Sequence, residues 1–464
     1  MNKLRLALLI FAAFIISIDF NIVYVALPEI GHALGFTAQS LQWVVSAYAV
    51  GLGGLLLLGG RAVDRLGARR MFVLGLAVFG LASLAGGLAA APGVLVAARV
   101  VQGVGGALLF PATLALINNT FAAGPARNRA LSLWGVAGST GAVVGPMAGG
   151  VITNYLGWEW VFFVNVPLTL AAGLAALRVL SPDPGGYAWG GFDLPGALVA
   201  TAGSTLAVFG LVSGPDVGWA SVRGAGALAL GGLLLGAFVL IERRSRDPLA
   251  PPRLLGVRSL VTMMALIFVL MGTINTLHYI FYIDVQEVLG YSALGAGLAF
   301  LPMSVASVVG AAKLLPLLLG RLGLRGALFT GVLGAGLSMA AVAAGMSAGG
   351  AYWHLLPGTV VLGLFAGMVY PMVFLAAGAD VAAGEQGVAS ALVSTSQQIG
   401  GAMGLAALVA VANAGPDVAA DPASGLRTAG LVAAAVTLAG AFLILRLKEA
   451  EQPAAVEMSV GPLT

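Results

Sequence analysis

The chain contains no cysteine, which excludes disulfides and thiolate metal sites. Histidine is almost as scarce. His32, His278 and His354 lie far apart and show no metal-ligand spacing. Charge is sparse too: Asp, Glu, Lys and Arg make up 9% of the 464 residues, against about 25% in soluble domains. With 59% hydrophobic residues and a mean hydropathy of +1.01, a water-soluble fold could not bury the apolar surface. The solvent must be lipid. No nucleotide loop, nucleophile–base pattern or metal cluster occurs, so enzymatic chemistry, cofactors and metals have no support. The pI near 9.5 does not point to nucleic acid, because the basic residues sit in short loops between apolar runs. Nothing resembles a cleaved signal peptide. Lys3 and Arg5 precede an apolar run that reaches Pro28, too long for a signal core and long enough to span a bilayer.

Glycine is abundant (68 residues), as expected where membrane helices pack through small residues. The apolar runs read as fourteen spans of about 20 residues each. They lie near 6–28, 40–60, 71–91, 93–116, 130–152, 160–180, 193–213, 224–241, 258–283, 292–318, 326–346, 354–376, 388–412 and 427–446. With the N-terminus inside, 18 Lys and Arg fall in inner segments and only Arg223 and Arg427 in outer loops; Arg99 and Lys313 lie within spans. Basic residues stay on the cytoplasmic side, so both termini are expected inside. The expected fold is an all-α integral membrane protein. It has a six-helix bundle over 1–180, a segment with two extra spans over 181–257, a second six-helix bundle over 258–449 and a disordered cytoplasmic tail over 450–464. The bundles read as a weak internal repeat, which places a substrate site between them near the bilayer midplane.

Polar groups inside spans are functional candidates. Asp19 lies nine residues before Pro28 and Arg99 seven residues after Pro92. At 1.5 Å per residue both sit roughly 10–13 Å in from the outer end. Such a pair is either a proton switch, opened when a conformational change separates the charges, or a static ion pair. Ser17, Asn21 and Tyr24 share one face of the first span. Asn275, His278 or Tyr279, and Tyr282 do the same on the ninth, and Ser390, Ser394 and Gln397 on the thirteenth. These stripes, with Gln102, are candidate substrate contacts; the competing reading is hydrogen bonding between helices. Asp284, near an outer helix end, reads as a plain surface carboxylate.

The order of motifs carries a resemblance. Gly60 to Arg69 is similar to the G-x-L-A-D-R-x-G-R-K loop between the second and third helices of major facilitator superfamily transporters. Arg99, Gln102, Gly103 and Gly105 follow that superfamily's R-x-x-Q-G-x-G. Gly141, Gly145, Pro146, Gly149 and Gly150 follow G-x-x-x-G-P-x-x-G-G of its antiporters. Asp19 to Pro28 and the run from Trp158 to Asn165 and Pro167 resemble its 14-helix drug:proton antiporter branch, with Glu159 in place of a usual Arg. The resemblance implies a proton-coupled exporter of small amphipathic compounds such as drugs or antibiotics, driven by the proton gradient without a cofactor. It implies a conformational latch at Gly60, Asp64, Arg65, Gly67, Arg69 and Arg70, and a proton-tight seam along Gly141–Gly150. Asp64 would pair with arginine or cap a helix end. Expected partners are the substrate, protons and lipid, with no nucleic acid and a monomeric state. Gly/Ala-rich composition suggests a bacterial inner membrane. An uptake carrier or uniporter, and a transport-silent receptor or lipid-handling scaffold, remain alternatives.

Overall fold

In the computed structural model the described residues are 2–121, 124–183, 194–245, 248, 253–347, 349–382, 385–414 and 422–447. The expected tail over 450–464 and most of the linker after Asp183 lie outside them. The described chain is helical throughout. Its helices are α1 (Asn2–Leu34), α2 (Trp43–Leu66), α3 (Ala68–Gly87), α4 (Pro92–Thr120), α5 (Pro125–Leu156), the short α6 (Trp160–Phe163), α7 (Asn165–Val179), α8 (Leu194–Val217), α9 (Ala227–Arg244), α10 (Arg258–Ile283), α11 (Ala293–Val309), α12 (Leu315–Gly345), α13 (Tyr352–Gly378), α14 (Gln386–Ala412) and α15 (Pro422–Ile444). Lipid offers backbone groups no hydrogen bonds, so each crossing segment must satisfy its own.

Twelve helices among the described residues are long and apolar enough to cross a membrane. This count does not reach the fourteen expected, for two visible reasons. The run Ala293–Gly345 counts once at 53 residues, although Gly323 breaks it with φ 64° and ψ 178°. The other is α8, which runs 24 residues, Leu194–Val217, and carries the apolar stretch Leu198–Ser213 without being counted among the twelve. The first helix also outruns its expected end at Pro28, which α1 carries inside it. One proline removes one backbone donor, a loss that membrane helices tolerate when neighbouring groups compensate.

Packing repeats along the chain. In the first half α1 lies on α5, and α2 and α3 lie on α4; in the second α10 lies on α14, and α11 and α12 lie on α13. Glycines permit the closest approaches. A Cβ on Gly51 would sit 2.5 Å from Val100 O, and one on Gly105 2.7 Å from Phe79 N. The α8–α9 hairpin leans on α2 and α14, one helix from each half.

The apolar core is distributed unevenly. At the end holding the C-terminus of α1, one cluster joins both halves, from Ile22, Leu27 and Val44 to Leu277, Phe300 and Leu405. At the opposite end each half keeps its own cluster: Leu9, Phe72 and Ile117 in the first, Leu260, Val332 and Met372 in the second. The two halves are therefore sealed together at one end and separately packed at the other.

Candidate functional site

Among the described residues the buried charges of the first half converge at one point. Arg99 and Asp19, both buried, meet with Nη1 to Oδ2 at 3.0 Å. Depth counted along two straight helices anticipates this contact. The other partners come from α4 itself and from α2, α3 and α7. Gln102 Nε2 and Asn165 Nδ2 each donate to Asp19 Oδ1 at 2.7 Å. Arg99 also donates through Nε to Val44 O at 2.8 Å and through Nη1 to Gln102 Oε1 at 2.7 Å. Gln102 Nε2 reaches Ser83 Oγ at 2.9 Å as well. The Arg99 guanidinium lies over the Tyr48 ring, 4.5 Å from its centre. Each charge thus has the counter-charge and hydrogen bonds that burial demands. Gln102, expected in the substrate cavity, sits inside this network. Asn165, Ser83 and Tyr48 are members that sequence reasoning did not single out. Asn165 lies in a quoted motif, a signal that was present but carried no depth.

The polar stripes divide. Ser17 Oγ donates to Gly138 O at 2.5 Å, and Asn21 Nδ2 to Ser17 O at 2.8 Å. Both residues face α5; Ser17 bonds across to it, whereas Asn21 bonds within α1. The upper ends do meet: Tyr24 stacks on Tyr282 at 6.4 Å and sits edge-on to His278 at 6.0 Å. The Tyr24 and Tyr282 hydroxyls are buried with no partner among the described residues. Asn275 is buried against Gly401, and Tyr279 donates to Ala38 O at 3.3 Å. Ser394 and Gln397 are half-buried. Gln397 Oε1 accepts from the Tyr370 hydroxyl at 3.2 Å, a contact with no sequence signal.

The glycine face of α5 has two neighbours. A Cβ on Gly141, Gly145 or Gly149 would lie 2.6–2.8 Å from Ser17 Cβ, Asn21 Cβ or Ile22 O of α1, within the same half. The other half meets α5 along the motif: Gly150 faces Ala293 O, Pro146 O faces Gly297 of α11, and Ser304 Oγ of α11 donates to Ala142 O at 3.5 Å.

In the basic loop Asp64 is exposed, with Arg61 and Arg65 the charges nearest it. Helix capping falls elsewhere. Asp183 accepts from Arg69 N and Arg70 N, both at 3.0 Å, at the start of α3. Gly67, at φ 102°, leaves the space that Asp183 occupies. Arg69 Nη2 donates to Leu177 O and Arg61 Nη2 to Pro248 O, both at 2.7 Å. Gly60 faces open space and Arg70 is exposed.

Asp284 overturns its surface reading. It is buried, because the chain continues past Ile283 in a π-helical turn, Asp284–Val288, under the sealed end. Across that end His32 Nε2 meets Glu287 Oε1 at 3.0 Å, Gln286 Nε2 donates to Val25 O at 3.0 Å, and Asn413 Nδ2 to Gln39 Oε1 at 3.2 Å.

Comparison with known proteins agrees with this architecture. The chain is 39% identical to the puromycin resistance protein of Streptomyces alboniger, covering 87% of this chain and 80% of that one. It is 38% identical to the cephamycin export protein of Amycolatopsis lactamdurans, over 87% and 84%. Among solved structures it superposes on an auto-inhibited POT family peptide transporter with a TM-score of 0.73 at 15% identity, covering 97% of this chain and 98% of that one. That likeness concerns the fold. The family described as Major Facilitator Superfamily matches residues 9–405. This multi-pass membrane chain therefore belongs to the Major Facilitator Superfamily, a family of transporters rather than enzymes.

Proposed function

We propose that the protein is a proton-driven exporter of small amphipathic compounds of the antibiotic class. It works by alternating access between two six-helix bundles. The observation that carries the coupling is the buried Asp19–Arg99 pair with its amide donors. An acid in the membrane interior held by one cation can trade that cation for a proton when the helices shift. The antibiotic class rests on relatives named for puromycin resistance and cephamycin export. The sealed end is read as the outer face, which makes this the inward-facing state.

The break at Gly323 and the apolar stretch of α8 support fourteen crossings. The 18-to-2 split of Lys and Arg supports both termini in the cytoplasm of a bacterial cell, with the protein a monomer in lipid. The basic loop, tied to Asp183, is read as the latch. The α5 glycine face is read as the proton-tight seam, and the Tyr24, His278 and Tyr282 cluster as the upper wall of the substrate cavity.

The test is substrate-dependent pH change in proteoliposomes. Wild type should acidify its lumen or bath in step with substrate movement. Asp19→Asn should lose that movement yet still bind substrate and exchange it. Proton-free transport by wild type would sink the coupling. Reporter fusions at Val217 and at the C-terminus test the topology, and an extracellular C-terminus would refute fourteen spans.

A further inference from the structure

α10 does not stop where its apolar pattern ends. Asp284–Val288 continue it as a single π-helical turn, with Leu289 N donating to Asp284 O at 2.9 Å. Asp284 opens that turn and is 1% exposed. Neither carboxylate oxygen has a hydrogen-bond partner among the described residues. The second acid of the turn, Glu287, is part-exposed and held by His32.

Among the described residues the surroundings supply no buried counter-charge. Besides α10, the turn packs against α15 and α11 and bonds to Val25 O and His32 of α1, whose acid toward that end, Glu29, is exposed. α11 carries no titratable side chain, and α15 carries only Arg427, which is exposed. On α10 itself Tyr279 is engaged with Ala38 O, Tyr282 stacks on Tyr24, and the His278 ring packs on Phe300. His32 and Glu287 are occupied with each other. A carboxylate sealed from water with neither donor nor cation is stable only as the neutral acid. Asp19, with a guanidinium and two amides, is in the opposite situation. π turns inside membrane helices recur at functional sites.

We propose that Asp284 is a proton-binding site at the outer end of the second bundle, taking one proton from the outer solution as the outer face closes and returning it when that face opens. The exchange is balanced: hydronium gives its proton to the carboxylate and leaves water, and opening reverses the transfer. Because only the closed arrangement shields the acid, external protons favour closure, by the linkage that lets a ligand shift a population toward the state it binds better. The inference rests on the inward-facing reading of the sealed end but not on substrate transport.

Two measurements on the full chain test it. In protein labelled with carbon-13 aspartate, infrared spectra near neutral pH should contain the carbonyl band of a neutral carboxylic acid, absent in Asp284→Asn. In liposomes, spin labels on Ala33→Cys and Tyr291→Cys should report the outer mouth closing as external pH falls. That response should persist in His32→Gln and Asp284→Glu and vanish in Asp284→Asn. Absence of the acid band in wild type overturns the proposal, and it decides alone if Asp284→Asn does not fold. So does acid-driven closure that survives in Asp284→Asn but fails in His32→Gln, which would make the His32–Glu287 pair the sensor. Failure of substrate-linked proton movement in wild type would instead defeat the export reading and leave both measurements standing.

Discussion

Arg99 ties α4 to Asp19 of α1 and to Val44 O of α2, and its removal separates two effects. Arg99→Gln leaves Asp19 buried with amide donors but no cation, a state that costs roughly 3–5 kcal/mol. The expected result is a large fall in unfolding temperature together with loss of transport. Asp19→Asn with Arg99→Gln removes both charges and should be more stable than Arg99→Gln alone; a double-mutant cycle on the purified protein measures the difference. Additive losses would mean that the two charges do not interact. The contact was legible in the sequence because depth from Pro28 and Pro92 locates both residues on straight helices. Asn165 and Ser83 were not, since each reaches the pair from another helix and neither polar amide nor hydroxyl is conspicuous in an apolar run. Asp284 was misread for a different reason. A π turn hides a carboxylate that an ideal helix end would present to water.

Helices were legible from apolar runs, but the contacts between them depend on which face each presents. Asp183 is an example: a proline-flanked acid just past Arg178 is a usable signal for a cap, but nothing local says that it caps α3. Removing it in Asp183→Ala should free two donors at the start of that helix, at a cost of about 1 kcal/mol. Hydrogen exchange at Arg69 and Arg70 should rise accordingly. Gly67→Ala should cost more, because φ 102° strains any side chain and the added methyl meets Asp183. Adding Asp183→Ala to Gly67→Ala should relieve the clash with the carboxylate, but not the contact with the remaining Cβ at 2.7 Å or the backbone strain, as read by thermal unfolding. On α5 the two neighbours of the glycine face give separable results. Gly141→Val presses on Ser17 within one bundle and should destabilise by about 1–3 kcal/mol. Gly150→Val presses on Ala293 of the other bundle and should hinder closure of the outer face with a smaller loss of stability. Equal effects on stability and closure would contradict the division.

At the scale of the whole molecule, the two bundles share one core at the end holding the C-terminus of α1, read above as the outer face, and keep separate cores at the opposite end. The class of fold could be read from the chain because hydropathy and charge asymmetry are global properties. The direction in which the bundles part could not, since one sequence serves both states. A chain without cysteine makes the test direct. Paired cysteines replacing His32 and Glu287, whose side-chain tips meet at 3.0 Å, stand too far apart for a direct disulfide; a short reducible bifunctional thiol reagent should join them, arrest transport and release it on reduction. Free transport in the cross-linked protein would refute the closed outer face. The asymmetry of the cores has a thermal consequence. Opening outward must bring side chains such as Ile22, Leu277 and Phe300 of the shared core toward water. Hydration of apolar surface raises heat capacity. The equilibrium between the two faces should therefore bend with temperature, and a van't Hoff plot of the outer-mouth distance should be curved rather than straight.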